Sequence, residues 1–238
     1  VSPVLGLLAC DEIWEPLRSR HGDYPEMYSA LLAEAGARFE LKRYAVAEGE
    51  FPTTATECDA WLISGSRASV YESLFWMAPA LQLVRDIHAA GVPQVGVCFG
   101  HQLIAEALGG KVERATVGWA HGAIEINVTT TPDASPPPTS PLRLFMCHQD
   151  QVLALPPGAV RLASAAHCPN AMFVLGADAL GIQAHPEFSE AFMREMSLEE
   201  GSTLPLAVRE HALKTLHLPI DRQPLGRWMA QFLKLLPA

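Results

Sequence analysis

Pro93-Gln94-Val95-Gly96-Val97-Cys98-Phe99-Gly100-His101-Gln102-Leu103-Ile104-Ala105-Glu106-Ala107-Leu108-Gly109-Gly110 decides the fold. Its apolar start predicts a buried strand near Gln94 to Cys98, and its continuation predicts a helix near Phe99 to Leu108. The chain therefore turns directly from strand into helix with Cys98 at the corner. Gly96 and Gly100 flank that corner, which makes the G-x-nucleophile-x-G pattern of a sharp turn that leaves its central side chain strained and exposed. The first N–H groups of a helix are unpaired and carry the positive end of its dipole, so a thiolate at this corner is stabilised. A cysteine at an ordinary strand-to-helix turn reads as core packing. The two glycines turn that reading toward a nucleophile.

Outward from this corner, short runs rich in Val, Ile and Leu alternate with longer helical patterns. Strands are predicted near Val4 to Cys10, Phe39 to Val46 and Ala60 to Ser64, with helices near Pro25 to Ala35 and Leu74 to Ala90. This alternation predicts an α/β fold with a mostly parallel central sheet and helices on both faces. Pro25 suits a first helical turn and Gly36 a helix stop. Beyond Gly109-Gly110 the pattern becomes strand-rich, near Ala123 to Thr129, Leu142 to Cys147, Val160 to Ser164, Ala171 to Leu175 and Leu180 to Ala184. The prolines of Pro132 to Pro141 forbid helix or central strand and predict a surface loop. The last fifty residues read as helical, Leu225 to Leu236 having apolar residues at helical spacing.

A length of 238 residues and a composition of 49% hydrophobic and 18% charged residues suit one large, well-buried domain over residues 1–238. The net charge of -9 and the lack of a basic stripe argue against nucleic acid or an anionic membrane surface as partner. The first residues, Val1 to Cys10, are too short an apolar stretch for a membrane span and read as a first strand. Five scattered cysteines, an odd number, suit free thiols in a reducing compartment, and the expectation is a cytoplasmic protein.

A second motif closes the strand-rich half: Leu180-Gly181-Ile182-Gln183-Ala184-His185-Pro186-Glu187-Phe188. In extended chain, residues two apart point to one side, so His185 and Glu187 share a face across a rigid proline. A carboxylate there fixes the tautomer of the imidazole, leaving its other nitrogen to take the proton of Cys98. Alone, His-Pro-Glu reads as a strand end beside a solvated glutamate; beside the glycine-flanked cysteine it reads as base and orienter.

With both motifs in hand, the chain resembles the class I glutamine amidotransferases, and more closely their stand-alone members similar to the amidotransferase domain of GMP synthase. The resemblance runs from about Val4 to Phe188 and rests on Gly96-Val97-Cys98-Phe99-Gly100-His101-Gln102 and Gly181-Ile182-Gln183-Ala184-His185-Pro186-Glu187 in this order. It implies a flavodoxin-like sheet with a small strand-rich elaboration and a helical C-terminus. It also implies a Cys98, His185 and Glu187 triad. Leu62-Ile63-Ser64-Gly65-Ser66-Arg67-Ala68-Ser69 resembles the family's oxyanion loop, which assigns oxyanion N–H groups to Gly65, Ser66 and Phe99. The family often has Gly-Gly-Pro where this chain has Gly65-Ser66-Arg67, which leaves the conformation of that loop open. Gln102 matches a residue that contacts bound glutamine, and Cys147-His148-Gln149-Asp150 resembles the segment that receives the amino-acid end of the substrate. Gly22-Asp23-Tyr24 and Gly118-Trp119 also resemble the stand-alone group, with no role assigned.

What the resemblance implies is acyl transfer from glutamine or another γ-glutamyl compound through a Cys98 thioester, with no metal or organic cofactor. Two enzyme readings stay open. One is a glutaminase whose ammonia passes to a separate synthetase partner, the other a stand-alone γ-glutamyl peptide or amide hydrolase. A redox-sensing or binding module is the reading from another class, since an exposed thiolate also oxidises readily. A metal site built from Cys98, His101, Cys147, His148, His167 and Cys168 matches no zinc spacing.

Overall fold

The computed structural model describes residues 2–129, 140–199 and 204–237. The predicted Pro132 to Pro141 loop lies almost wholly outside them. Eleven strands and seven helices follow in chain order among the described residues. The first half runs β1 (Val4–Leu8), α1 (Leu17–His21), α2 (Tyr24–Glu34), β2 (Glu40–Tyr44), β3 (Ala60–Ile63), α3 (Met77–Ala89), β4 (Gln94–Val97) and α4 (Phe99–Ala107). The second half begins with β5 (Lys111–Arg114), β6 (Ala120–Val128), β7 (Leu142–His148), β8 (Asp150–Ala154) and β9 (Val160–Ala165). It continues with β10 (Cys168–Leu175), β11 (Ala179–Ile182), α5 (Glu190–Glu199), α6 (Leu206–Thr215) and α7 (Arg222–Phe232).

Nine strands form one sheet in the order β2-β1-β3-β4-β11-β10-β9-β6-β7. The pairings from β2 to β11 are parallel, and those from β11 to β7 are antiparallel. The strand-rich second half thus continues the central sheet, and only β5 and β8 pair as a separate antiparallel ribbon. That ribbon and α1 are absent from the sequence expectation. In Lys111-Val112-Glu113-Arg114 only Val112 is buried, so the segment carries too little apolar signal to be seen as a strand.

Alternation along the parallel strands sends residues to two cores. Leu5, Leu7, Leu62, Val95 and Val97 face α2 and α7, while Leu8, Trp61 and Ile63 face α3 and α4. Each face of the sheet is therefore covered by helices, which is why these strands read as continuous apolar runs. The start of α2 is fixed by a capping box in which Asp23 and Glu26 each take a backbone N–H of the other's segment, with Pro25 in the first turn. This fixes the register of Tyr24 and Tyr28, one turn apart on the face toward the sheet.

Candidate active site

The site forms where β4 and β11 end side by side. Gly96 pairs with Gly181 and Val97 with Ile182, and the Cys98 N–H donates to the Ile182 carbonyl at 2.8 Å. The two sequence motifs are thus carried by neighbouring strands. Cys98 has φ 52° and ψ -101°, a left-handed conformation that L side chains rarely adopt, at the cap of α4. Such backbone costs about 1–3 kcal/mol and is held by its surroundings. The flanking glycines make the turn sterically possible. A Cβ on Gly100 would lie 2.9 Å from the Ile63 carbonyl carbon and closer still to its oxygen, and one on Gly96 would lie 2.7 Å from the His101 nitrogen. Because those neighbours are backbone, they cannot swing aside. Gly100→Ala is expected to lower stability by about 1–3 kcal/mol through overpacking, measured as a drop in the urea midpoint with the slope unchanged.

His185 is anchored by its own N–H to the Phe145 carbonyl at 2.8 Å and stacked on Phe188 with ring centroids 4.1 Å apart. Its Nδ1 lies 2.7 Å from Glu187 Oε1, and the pair is buried. The imidazole also interacts with the Cys98 side chain, and the two line one cavity. Burial pushes the imidazole down, but the Glu187 carboxylate and the Cys98 sulfur outweigh it and raise it to about 10. The Cys98 sulfur also lies 3.8 Å from the Cys147 carbonyl. The Tyr28 hydroxyl donates to Glu187 Oε1 at 3.0 Å. Burial and the Glu187 charge push the hydroxyls of Tyr24 and Tyr28 well above the usual phenol range, so both stay neutral donors. Neither tyrosine was singled out by the sequence motifs; Tyr24 lay in a matching segment with no role.

A cleft of about 470 Å³ opens over Cys98, and its wall brings together Ser66, Gln102, Cys147, Gln149 and Asp150. Gly65 and Phe99 are buried and do not line the cleft. A Cβ on Gly65 would lie 3.1 Å from both His185 Cε1 and the Tyr24 hydroxyl, so this glycine lets the loop approach the histidine. The open question of the Gly65-Ser66-Arg67 loop has a physical answer. Asp11 accepts the Arg67 main-chain N–H at 2.9 Å, its Nε at 2.9 Å and its Nη2 at 2.8 Å. Burial opposes the Asp11 charge, yet the Arg67 guanidinium and N–H hold its carboxyl below the usual range. Gln102 Nε2 donates to the Asp150 carbonyl at 2.9 Å and to Gln183 Oε1 at 3.2 Å. Gln149 Oε1 accepts from Arg114 at 2.6 Å, and the Asp150 carboxylate takes the hydroxyls of Ser69 and Tyr71.

His101 is fully buried against Phe173, and burial pushes it down to about 3, so it is a neutral core residue. Burial likewise pushes His148 down to about 3. Among the described residues no group of three or more His, Cys, Asp or Glu is placed to hold a metal ion. No helix among them is long and apolar enough to cross a membrane.

Comparison with known proteins bears on what this arrangement does. The family model for glutamine amidotransferase class-I matches residues 22–201. Gamma-glutamyl peptidase 3 of Arabidopsis thaliana is 30% identical over 202 residues, covering 81% of this chain and 79% of the relative. A GMP synthase of Prochlorococcus marinus is 32% identical over 170 residues, 69% of this chain but only 31% of that longer protein. A crystal structure of a glutamine amidotransferase from Methylobacillus flagellatus superposes with a TM-score of 0.77 at 25% identity, covering 99% of this chain and 95% of the other.

Proposed function

We propose, from the premise that this chain belongs to the class I glutamine amidotransferase family, that it hydrolyses γ-glutamyl amide bonds through a thioester on Cys98. The observation that carries the reading is the Cys98, His185 and Glu187 set, with Cys98 on the wall of an open cleft and His185 bound to Glu187 beside it. The Cys98 thiolate attacks the side-chain carbonyl carbon, and N–H groups of Gly65, Ser66 and Phe99 receive the oxyanion. His185 gives its proton to the departing nitrogen as the C–N bond breaks and the C–S bond forms. Water then attacks the thioester, its proton passing to His185, and the γ-glutamyl acid leaves as the thiolate is restored. Glu187 orients His185 and favours its charged form, and Tyr28 positions Glu187. Gln102, Cys147, Gln149 and Asp150 receive the amino-acid end of the substrate.

Two outlets for the released nitrogen follow. In the first, the substrate is glutamine and the ammonia serves a separate synthetase. In the second, the chain acts alone on γ-glutamyl peptides or amides. The extent of the match favours the second, since the relative named a peptidase is matched over most of its length and the synthase over less than a third. The purified chain, given glutamine and a panel of γ-glutamyl dipeptides, is expected to turn over the dipeptides at least tenfold better by kcat/KM. Turnover of glutamine alone would reverse that preference, and turnover of neither would sink the hydrolase reading.

A further inference from the structure

We propose that a small cavity on the His185 side of Cys98 is a subsite for the group carried by the leaving nitrogen, and that it selects γ-glutamyl amides of short apolar amines over glutamine. This rests on the γ-glutamyl reading above. The space around the thiol is divided. The large cleft has Cys98, Gln102 and Asp150 on its wall but not His185, whereas a second cavity of about 70 Å³ has both Cys98 and His185. With Nδ1 held by Glu187, the other ring nitrogen of His185 is the proton source. The leaving nitrogen must approach that atom as the C–N bond breaks, so whatever it carries projects into the small cavity. The glutamyl end occupies the large cleft.

The walls of the small cavity are mainly apolar, with Ile13, Trp14, Phe188, Phe192 and Met196 outnumbering the polar Tyr24, Ser66 and Arg67. Phe188 stacks on His185 and lies 4.4 Å from the Phe192 ring, so the apolar surface begins at the base itself. At the rim the Arg67 guanidinium sits 5.9 Å over the Trp14 ring while bound to Asp11. Ammonia gains nothing from such walls, but an alkyl group does. A water needs about 10–15 Å³ of such space, so the cavity takes roughly five water-sized groups, the length of a short alkyl chain. The reaction needs no further reactant, because the proton of His185 and the electrons of the broken C–N bond leave with the amine.

The test is a series of γ-glutamyl amides of methylamine, ethylamine, propylamine and butylamine set against glutamine. The value of kcat/KM is expected to rise about fourfold per methylene and the slope to flatten in Trp14→Ala, or in Met196→Ala should the first variant not fold. A second arm does not depend on turnover: butylamine should slow alkylation of Cys98 by iodoacetamide in the intact chain more than methylamine does, and lose that advantage in the same variant. Glutamine and all four amides turned over alike, with no chain-length effect on alkylation, would overturn the subsite and leave the hydrolase reading standing. Chain-length protection of Cys98 without turnover of any amide would do the reverse.

Discussion

Cys98→Ala is expected to lower turnover of γ-glutamyl substrates by on the order of 10⁵-fold or more, while the melting temperature moves by only a few degrees. Loss of a nucleophile from a set that acts as a unit removes nearly all of its rate advantage, since base and oxyanion donors have nothing to activate. The fold should tolerate the change because alanine removes a single buried sulfur and meets the same φ of 52°. Cys98→Gly should be equally inactive yet unfold at higher urea than Cys98→Ala, since glycine relieves the left-handed strain. Single-turnover assay with a γ-glutamyl dipeptide and urea titration of the three chains check both parts. Residual activity within tenfold of the parent chain would remove Cys98 from the mechanism.

The second large effect concerns Glu187. Glu187→Gln should lower kcat by on the order of 10³–10⁴-fold, because an amide at this place can present an N–H to Nδ1 and hold the wrong tautomer. It should also move the pH profile. With the carboxylate present, His185 is raised to about 10, so the protonated imidazole that serves the leaving nitrogen persists through neutral pH and is lost as pH rises through about 10. Without it, the alkaline limb should move to lower pH, because burial favours the neutral ring and the Cys98 sulfur is then left to oppose it without the carboxylate. The same shift bears on stability. A folded-state value above the unfolded one stabilises the native chain fully below about pH 6.5, and that part is lost as pH climbs to about 10. Rate profiles of both chains from pH 6 to 11 test the prediction; coincident alkaline limbs would show that Glu187 does not govern His185.

Much of this was legible in the sequence, for a physical reason in each case. The parallel strands announce themselves because both of their faces are covered, so Leu62 reaches one core while Trp61 and Ile63 of the same strand reach the other. The strand-to-helix turn at Cys98 was visible because it needs glycine at Gly96 and Gly100, where a Cβ would meet backbone. Tyr28 was not visible. It lies 159 residues from Glu187 in the chain, and among Met27, Leu31 and Leu32 it reads as one more apolar residue of a helix face. The Arg67 clamp escaped for a similar reason: Asp11 and Arg67 come together only when β1 and β3 pair. The apolar cavity beside His185 draws on α5 as well, a segment whose sequence says helix but not where its phenylalanine and methionine point.

The adjacency of β4 and β11 has a consequence for how the protein is made. A ribosome delivers the thiol strand long before the strand that carries the imidazole, and every antiparallel strand of the second half is synthesised in between. Until β11 slots in beside it, β4 is a bare sheet edge whose N–H and C=O groups invite pairing with other chains. Pairing β11 with β4 therefore covers that edge and, in the same step, brings the strand that leads into His185 beside the strand that leads into Cys98.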